Sequence, residues 1–311
     1  MTIKFAVVGL GSIAQKGYLP VLSSWEGIEL FLHTRNEEKL SRMMQQYHIA
    51  QATTDLQELI GWQPDAVCIL ASTVVHYELA KHFLEAGIDV FLEKPTSRTI
   101  AETRELAQLA DKKKRILMTA FNRRFTPITL RLKKLTEKHE FKLAYFQKNR
   151  PKYISPDFGI HNRDGIIHLV DLMRFLLGEG KVMFSSYGLD NEGAISESSA
   201  TIQLGQGGLA VISSSLHAGK WLENVEMHGD TTSIFLNQFR NLEYVHAGEQ
   251  QIWEQPYDIS WETNLVGRGI VGELQHFFEC IETRQQPLTN AWDSLKSQEL
   301  VEEIIEKSIL V

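Results

Sequence analysis

Cysteine is nearly absent: Cys68 and Cys280 are the only two among 311 residues, and no CxxC spacing occurs. That excludes a disulfide scaffold or a paired-cysteine redox or zinc site, and it fits a reducing compartment, so a cytoplasmic location is expected. No apolar run approaches the roughly 18 to 20 residues of a membrane span. The stretch 1–11 is a short apolar run ending in glycines, without a small-residue cleavage site, so it reads as a strand and not as an export signal. Neither sign of charge dominates, with 32 Lys and Arg against 39 Asp and Glu. This gives no footprint for nucleic acid or anionic lipid, and neither is an expected partner. The basic run Lys112, Lys113, Lys114 and Arg115 reads as a solvated helix end. There is no GxSxG turn, no Walker lysine and no HExxH; His161 and His168 lack metal-ligand company. Hydrolase, kinase and metalloenzyme readings lose their support, and no metal is expected.

What remains is a globular composition, 43% hydrophobic and 23% charged. The length favours two domains, expected at 1–121 and 122–311. In the first, Ile3 to Val8 is a β-favouring run that leads into Gly9, Leu10, Gly11, Ser12, Ile13 and Ala14. Glycine at 9 permits the turn, glycine at 11 lets the backbone approach a pyrophosphate, and small Ala14 lets a helix pack on the strand. The amides at Ser12 and Ile13 would face the phosphates. Pro20 implies a short first helix that restarts near it. Extended and helical patterns then alternate over 28–33, 36–46, 66–70, 76–86, 90–92, 100–113 and 116–119, which indicates an α/β Rossmann-type parallel sheet with helices on both faces. Ligands bind at the carboxyl ends of such strands.

At the end of the second strand, an NAD site usually places an acidic residue on the ribose. Here Thr34, Arg35 and Asn36 stand there instead. A missing carboxylate beside an arginine favours NADP, with NAD the alternative should Glu37 or Glu38 turn back to the ribose. Glu93, Lys94 and Pro95 follow the apolar strand 89–92 where a nicotinamide would lie. Lys94 reads either as an ordinary surface lysine or as an ammonium that stabilises charge on a substrate oxygen.

These motifs together resemble the glucose-fructose oxidoreductase, inositol dehydrogenase and MocA family of NAD(P)-dependent oxidoreductases. The likeness rests on the glycine turn, on Ala71 to His76 as the family's ATP-containing loop, on Glu93-Lys94-Pro95 as its EKP element, on FNRRF at 121–125 and on DGIIHLVD at 164–171. It covers residues 5–125 and 164–178, with the helix 293–308 also fitting. Two departures stand out. Ala71, Ser72 and Thr73 lack the usual proline, and Ile166 replaces the usual glycine before the histidine, Gly165 lying one residue earlier. The resemblance implies cofactor contacts at Ala71, Ser72, Thr73, His76, Glu93 and Lys94, and substrate contacts at Asn122 and Arg123, with Arg124 an alternative to the latter.

Residues 166–177 form a strongly apolar helix pattern that stops before Gly178, and polar groups in it need a reason. His168 and Asp171 are three apart and Asp164 precedes His168 by four, so all can share a face near the helix start. Histidine titrates near neutrality and can accept a hydroxyl proton. Taken alone, His168 reads equally as a core histidine and Asp164 as a helix N-cap. With Lys94 and the family likeness, Lys94, Asp164 and His168 become the expected catalytic set, Lys94 and His168 meeting on one substrate oxygen and Asp164 orienting the substrate or the imidazole.

From Phe141 onward, β-rich runs at 142–147, 182–187, 200–204, 209–216, 223–229, 232–236 and 242–245 predict an α+β domain with a large, mostly antiparallel sheet. Lys148 and Arg150, just before Pro151, are further candidate substrate contacts, and Trp221 a candidate apolar face for a sugar ring or a core residue. The family's open sheet face implies a homodimer or homotetramer. The expected activity is dehydrogenation or reduction between a secondary alcohol and a ketone on a sugar, polyol or related small molecule. The alternative is a non-catalytic NAD(P)-binding sensor on the same fold.

Overall fold

The computed structural model describes residues 2–151, 153–155, 157–255 and 264–311. The chain divides into two compact units, Met1–Phe121 with Ile270–Leu295, and Asn122–Gly269 with Lys296–Val311. A single cut after residue 121 therefore misses one exchange: the stretch Ile270–Leu295 returns to the first unit.

The first unit is built on strands β1 (Ile3–Val8), β2 (Ile28–His33), β3 (Gln51–Thr53), β4 (Ala66–Ile69), β5 (Asp89–Glu93) and β6 (Leu117–Ala120). They form one parallel sheet in the order β3-β2-β1-β4-β5-β6. The central strands are buried on both faces, which is why they read as unbroken apolar runs. After β1 the chain makes a π-helical turn at Ala14–Tyr18 and continues as a short α-helix at Leu19–Leu22, with Pro20 in its first turn where a missing amide hydrogen costs nothing. Helix Glu37–Tyr47 is capped by the Asn36 side chain, and Ile100–Lys113 opens with a capping box of Thr99 and Glu102. Helix Ile270–Thr283 packs Phe277 and Phe278 against Phe5, with ring centroids 6.2 and 5.1 Å apart, and Phe277 against Phe91 at 5.4 Å. Its end is tied down by Arg284 on the buried carboxylate of Asp89.

The second unit carries β7 (Leu143–Asn149), β8 (Gly180–Leu189), β9 (Ile195–Leu204), β10 (Leu209–Ser215), β11 (Leu222–Gly229), β12 (Thr232–Asn237), β13 (Asn241–His246), β14 (Glu249–Glu254) and β15 (Ser308–Leu310). They form a nine-stranded sheet, β14-β13-β12-β11-β7-β10-β9-β8-β15. It is antiparallel except at the β7/β10 and β8/β15 pairs. Along β7, Ala144, Phe146 and Lys148 are buried while Leu143 and Tyr145 are exposed, so one face is covered and the other open. Leu209, opposite Leu143, and Phe235, one strand beyond Tyr145's partner Glu226, extend the exposed apolar row. Helix Ile167–Leu177 contacts β7 and β10 and ends at Gly178, whose φ of 86° lies in the left-handed region that stops a helix at no steric cost.

Candidate active site

In the first unit the glycine turn forms the wall of a cavity of about 460 Å³ that also meets Thr34 and Arg35 after β2, and Ala71 and Ser72 after β4. Gly9 has φ of 93°, and a Cβ there would sit 2.6 Å from the Ala71 amide nitrogen, so only glycine fits. At Gly11 the nearest foreign atom to a built Cβ is Leu70 O at 4.0 Å, which leaves the backbone open to a ligand. A tight turn, an open backbone and two strand ends around one cavity suit a dinucleotide. Lys39, missed in the sequence, lines the same cavity. It stands one turn into the helix after Arg35, and that spacing was its available signal.

The other expected cofactor contacts are placed differently. Ser12 and Ile13 stand exposed at the start of the π-helical turn, outside the lining of this cavity. Asn36 turns its side chain back onto the Lys39 amide, 2.7 Å away, as a helix cap. His76 is buried, with Nδ1 2.8 Å from Pro95 O and Nε2 3.0 Å from Ala71 O. Its imidazole therefore faces the protein and ties the loop 71–76 to the residue after Lys94, which corrects its reading as a nucleotide contact. Burial, more than the charge of Lys94, lowers its pKa. Thr73 begins the short turn that leads into helix His76–Glu85.

Lys94 follows β5 directly, half-buried, and its peptide bond to Pro95 is cis. Glu93 beside it lies 3.5 Å from the Tyr18 hydroxyl, which donates to Glu273 Oε1 at 2.7 Å. Burial first, then the Glu273 and Glu93 carboxylates, raises the Tyr18 pKa, so the hydroxyl keeps its proton and remains a donor.

In the second unit His168 is 7% exposed on helix Ile167–Leu177, and its Nε2 lies 3.2 Å from Nη1 of Arg123. Asp164 is exposed within a π-helical stretch, His161–Ile166, that precedes this helix; it is not the N-cap, a position held by Ile166 without a side-chain bond. Asp171 is wholly buried and accepts from Arg124 Nε at 2.8 Å and Ser297 Oγ at 2.9 Å. That pair is structural, which removes Arg124 as an alternative to Arg123. Asn122 donates to Arg268 O at 2.7 Å. Lys148, expected to meet substrate, is instead buried, donating to Gly165 O at 2.9 Å with Glu223 3.5 Å away. Arg150 stacks over Tyr153, 4.5 Å from its centroid.

Glu223, which no sequence pattern distinguished, is the hub of this group. Burial would raise its pKa, but the charges of Arg123 and Lys148 outweigh burial and bring it from 4.5 to about 2. Among the described residues no cluster of His, Cys, Asp and Glu is suited to a metal ion, and no helix is long and apolar enough to cross a membrane.

A parallel sheet with a glycine turn at the carboxyl end of β1, and a second unit that sets a histidine in an apolar helix, define a nucleotide-dependent oxidoreductase. The family models agree. The oxidoreductase family's NAD-binding Rossmann fold matches residues 3–121, and its C-terminal alpha/beta domain matches 141–308. A putative oxidoreductase, YceM, of Salmonella typhimurium is 30% identical over 97% of this chain and 96% of its own. Inositol 2-dehydrogenase of Rhizobium meliloti is 24% identical over 97% and 96%. The crystal structure of the dehydrogenase MviM from Clostridium difficile superposes with a TM-score of 0.90 at 27% identity, covering 98% of this chain and 99% of that one. The chain belongs to the Gfo/Idh/MocA oxidoreductase family. It is an NAD(P)-dependent oxidoreductase that acts on CH–OH groups.

Proposed function

We propose that the substrate is a sugar, polyol or related small molecule whose secondary alcohol and ketone interconvert, and that NADP is the preferred cofactor. The observation that carries the chemistry is His168, a titratable side chain set in an apolar helix with a guanidinium on its Nε2. When bound, the nicotinamide supplies the hydride acceptor or donor. His168 takes the hydroxyl proton on Nε2 as substrate displaces the Arg123 guanidinium from it, Lys94 hydrogen-bonds the same oxygen and offsets its developing charge, and Asp164 orients the substrate. Asn122 and Arg123 add substrate contacts, and before substrate binds Arg123 selects the imidazole tautomer whose Nε2 is the acceptor. Cofactor preference follows from Thr34, Arg35 and Lys39, an uncharged residue and two cations where an NAD site would carry a carboxylate.

Names of relatives point to cyclitols, among them the myo-inositol 2-dehydrogenase of Thermotoga maritima, 27% identical over 80% of this chain. The open sheet face, with Leu143, Tyr145, Leu209 and Phe235 exposed on it, supports a homodimer or homotetramer. The low cysteine content supports a cytoplasmic location. The deciding experiment is a polyol and keto-sugar panel with NADPH and NADH. Lys94→Ala and His168→Ala should each cut turnover by about 100-fold or more while NADPH binding persists. Near-wild-type rates in both variants would remove the assignment.

A further inference from the structure

A cavity of the second unit, about 710 Å³, is lined by none of the residues given a chemical role above. It lies where β11 to β14 end, beside Trp221 and the turn that joins β12 to β13. Trp221 is 43% exposed and stacks on Phe239, with centroids 5.8 Å apart and planes at 23°. Phe239 carries Arg268 over its ring at 5.3 Å and Arg123 at 5.5 Å. Since Arg123 also touches His168, this aromatic wall is one side chain away from the proposed base. Phe239 has φ of 72°, in a region a bulky aromatic rarely adopts, so the turn holds its ring here against a backbone cost.

Amides line this cavity at two depths. Gln238 is only 1% exposed, and its Oε1 has no hydrogen-bond partner among the described residues; the same holds for Nε2 of Gln255. Both atoms lie behind the cavity surface and are closed to solvent, so a ligand does not reach them as the side chains stand. Asn237 and Asn241 add further amides. The charge is lopsided, with Lys220, Arg240 and Arg268 facing the single carboxylate of Glu254 among the described lining residues. An aromatic face takes the CH side of a sugar ring, amides take its hydroxyls, and clustered cations take an anion.

We infer that this cavity binds a sugar or cyclitol bearing an anionic group, phosphate or carboxylate, which makes anionic sugars the substrate class of the enzyme. The inference rests on the reading of the chain as a sugar or polyol oxidoreductase.

Calorimetric titration of the full chain with glucose 6-phosphate, glucuronate, glucose and inorganic phosphate tests it. At least one anionic sugar should bind about tenfold or more tighter than glucose, and the two anionic arms separate phosphate from carboxylate. Replacing two exposed cations, Lys220→Gln with Arg240→Gln, should erase that preference. Trp221→Ala should weaken every sugar while inorganic phosphate is unaffected. Equal binding of glucose and both anionic sugars, a preference that survives the double variant, or inorganic phosphate that binds as tightly as the sugar phosphate would each overturn the inference. Turnover of neutral polyols without binding of either anionic sugar sinks this site and spares the proposed function. Binding of an anionic sugar with the expected variant effects, and no turnover of any panel member, does the reverse.

Discussion

Arg123 holds His168 and Glu223 at once: Nη1 lies 3.2 Å from the imidazole Nε2, while Nε and Nη2 donate to the two carboxylate oxygens at 3.1 and 2.8 Å. A guanidinium is donor-only, so Nε2 of His168 must be the acceptor: the arginine selects the tautomer with its proton on Nδ1, and Nε2 takes the hydroxyl proton only once substrate draws the guanidinium off it. Arg123→Lys keeps the charge but loses the planar fork. Its kcat should fall roughly tenfold or more, with the affinity for NADPH unchanged, as read by steady-state kinetics and fluorescence titration. A wild-type kcat would show that the contact does not orient the base.

Glu223 should stabilise the fold in a pH-dependent way. Its folded pKa of about 2 lies below the ordinary 4.5. Such a carboxylate adds stability that is complete above the unfolded pKa and is lost as pH falls through the folded one. The contribution, on the order of 3 kcal/mol, is therefore present at neutral pH and disappears between about pH 5 and pH 2. Glu223→Gln leaves Arg123 and Lys148 without their shared anion, and urea unfolding should show a loss of about 3 kcal/mol or more at neutral pH. The gap from wild type should narrow in acid; a gap independent of pH would contradict the assignment.

His161 adds acid sensitivity of the same sign at higher pH. Burial first, then the charges of Lys148 and Arg150, lowers it from 6.5 to about 4. The folded state keeps the ring neutral while the unfolded chain takes up a proton, so stability falls as pH drops from about 6.5 to about 4. His161→Gln should flatten that part of the stability curve, measured as midpoint temperature against pH. An unchanged slope would place the acid sensitivity elsewhere.

Cofactor choice can be read from two side chains. Removal of either cation, in Arg35→Ala or Lys39→Ala, should weaken NADPH by roughly 10-fold or more, the scale of a charged hydrogen bond, and leave NADH within about threefold of wild type. Titration of the intrinsic NAD(P)H fluorescence measures both. Equal losses for the two cofactors would mean that these residues shape the cavity without contacting the 2'-phosphate.

Much of this architecture could be read in advance because its signals are local. Doubly buried strands such as Ala66–Ile69 are continuous apolar runs, and Thr99 with Glu102 announces a helix start. Gln51–Thr53 and Leu56–Gly61 escaped because they are too short to show a period, and Glu249–Glu254 because it buries almost nothing. The allegiance of Ile270–Thr283 was illegible for another reason. Its helical pattern shows an apolar face, but that Phe277 and Phe278 meet Phe5 depends on contacts some 270 residues apart. The site divides in the same way. Lys94 and His168 stood out as polar residues in apolar surroundings, whereas Glu223, Lys39 and Phe239 matter only through neighbours brought in from distant segments. Lys148 misled because a cation near the end of a strand looks solvated until its burial is seen.

The contact of Gly9 with the Ala71 backbone, and the clamp of His76 between Ala71 and Pro95, make one rigid floor of three loops that are separate in sequence. Their ordering is completed when the chain folds, so a dinucleotide arriving there has little loop entropy to surrender, and its affinity can rest on direct contacts alone.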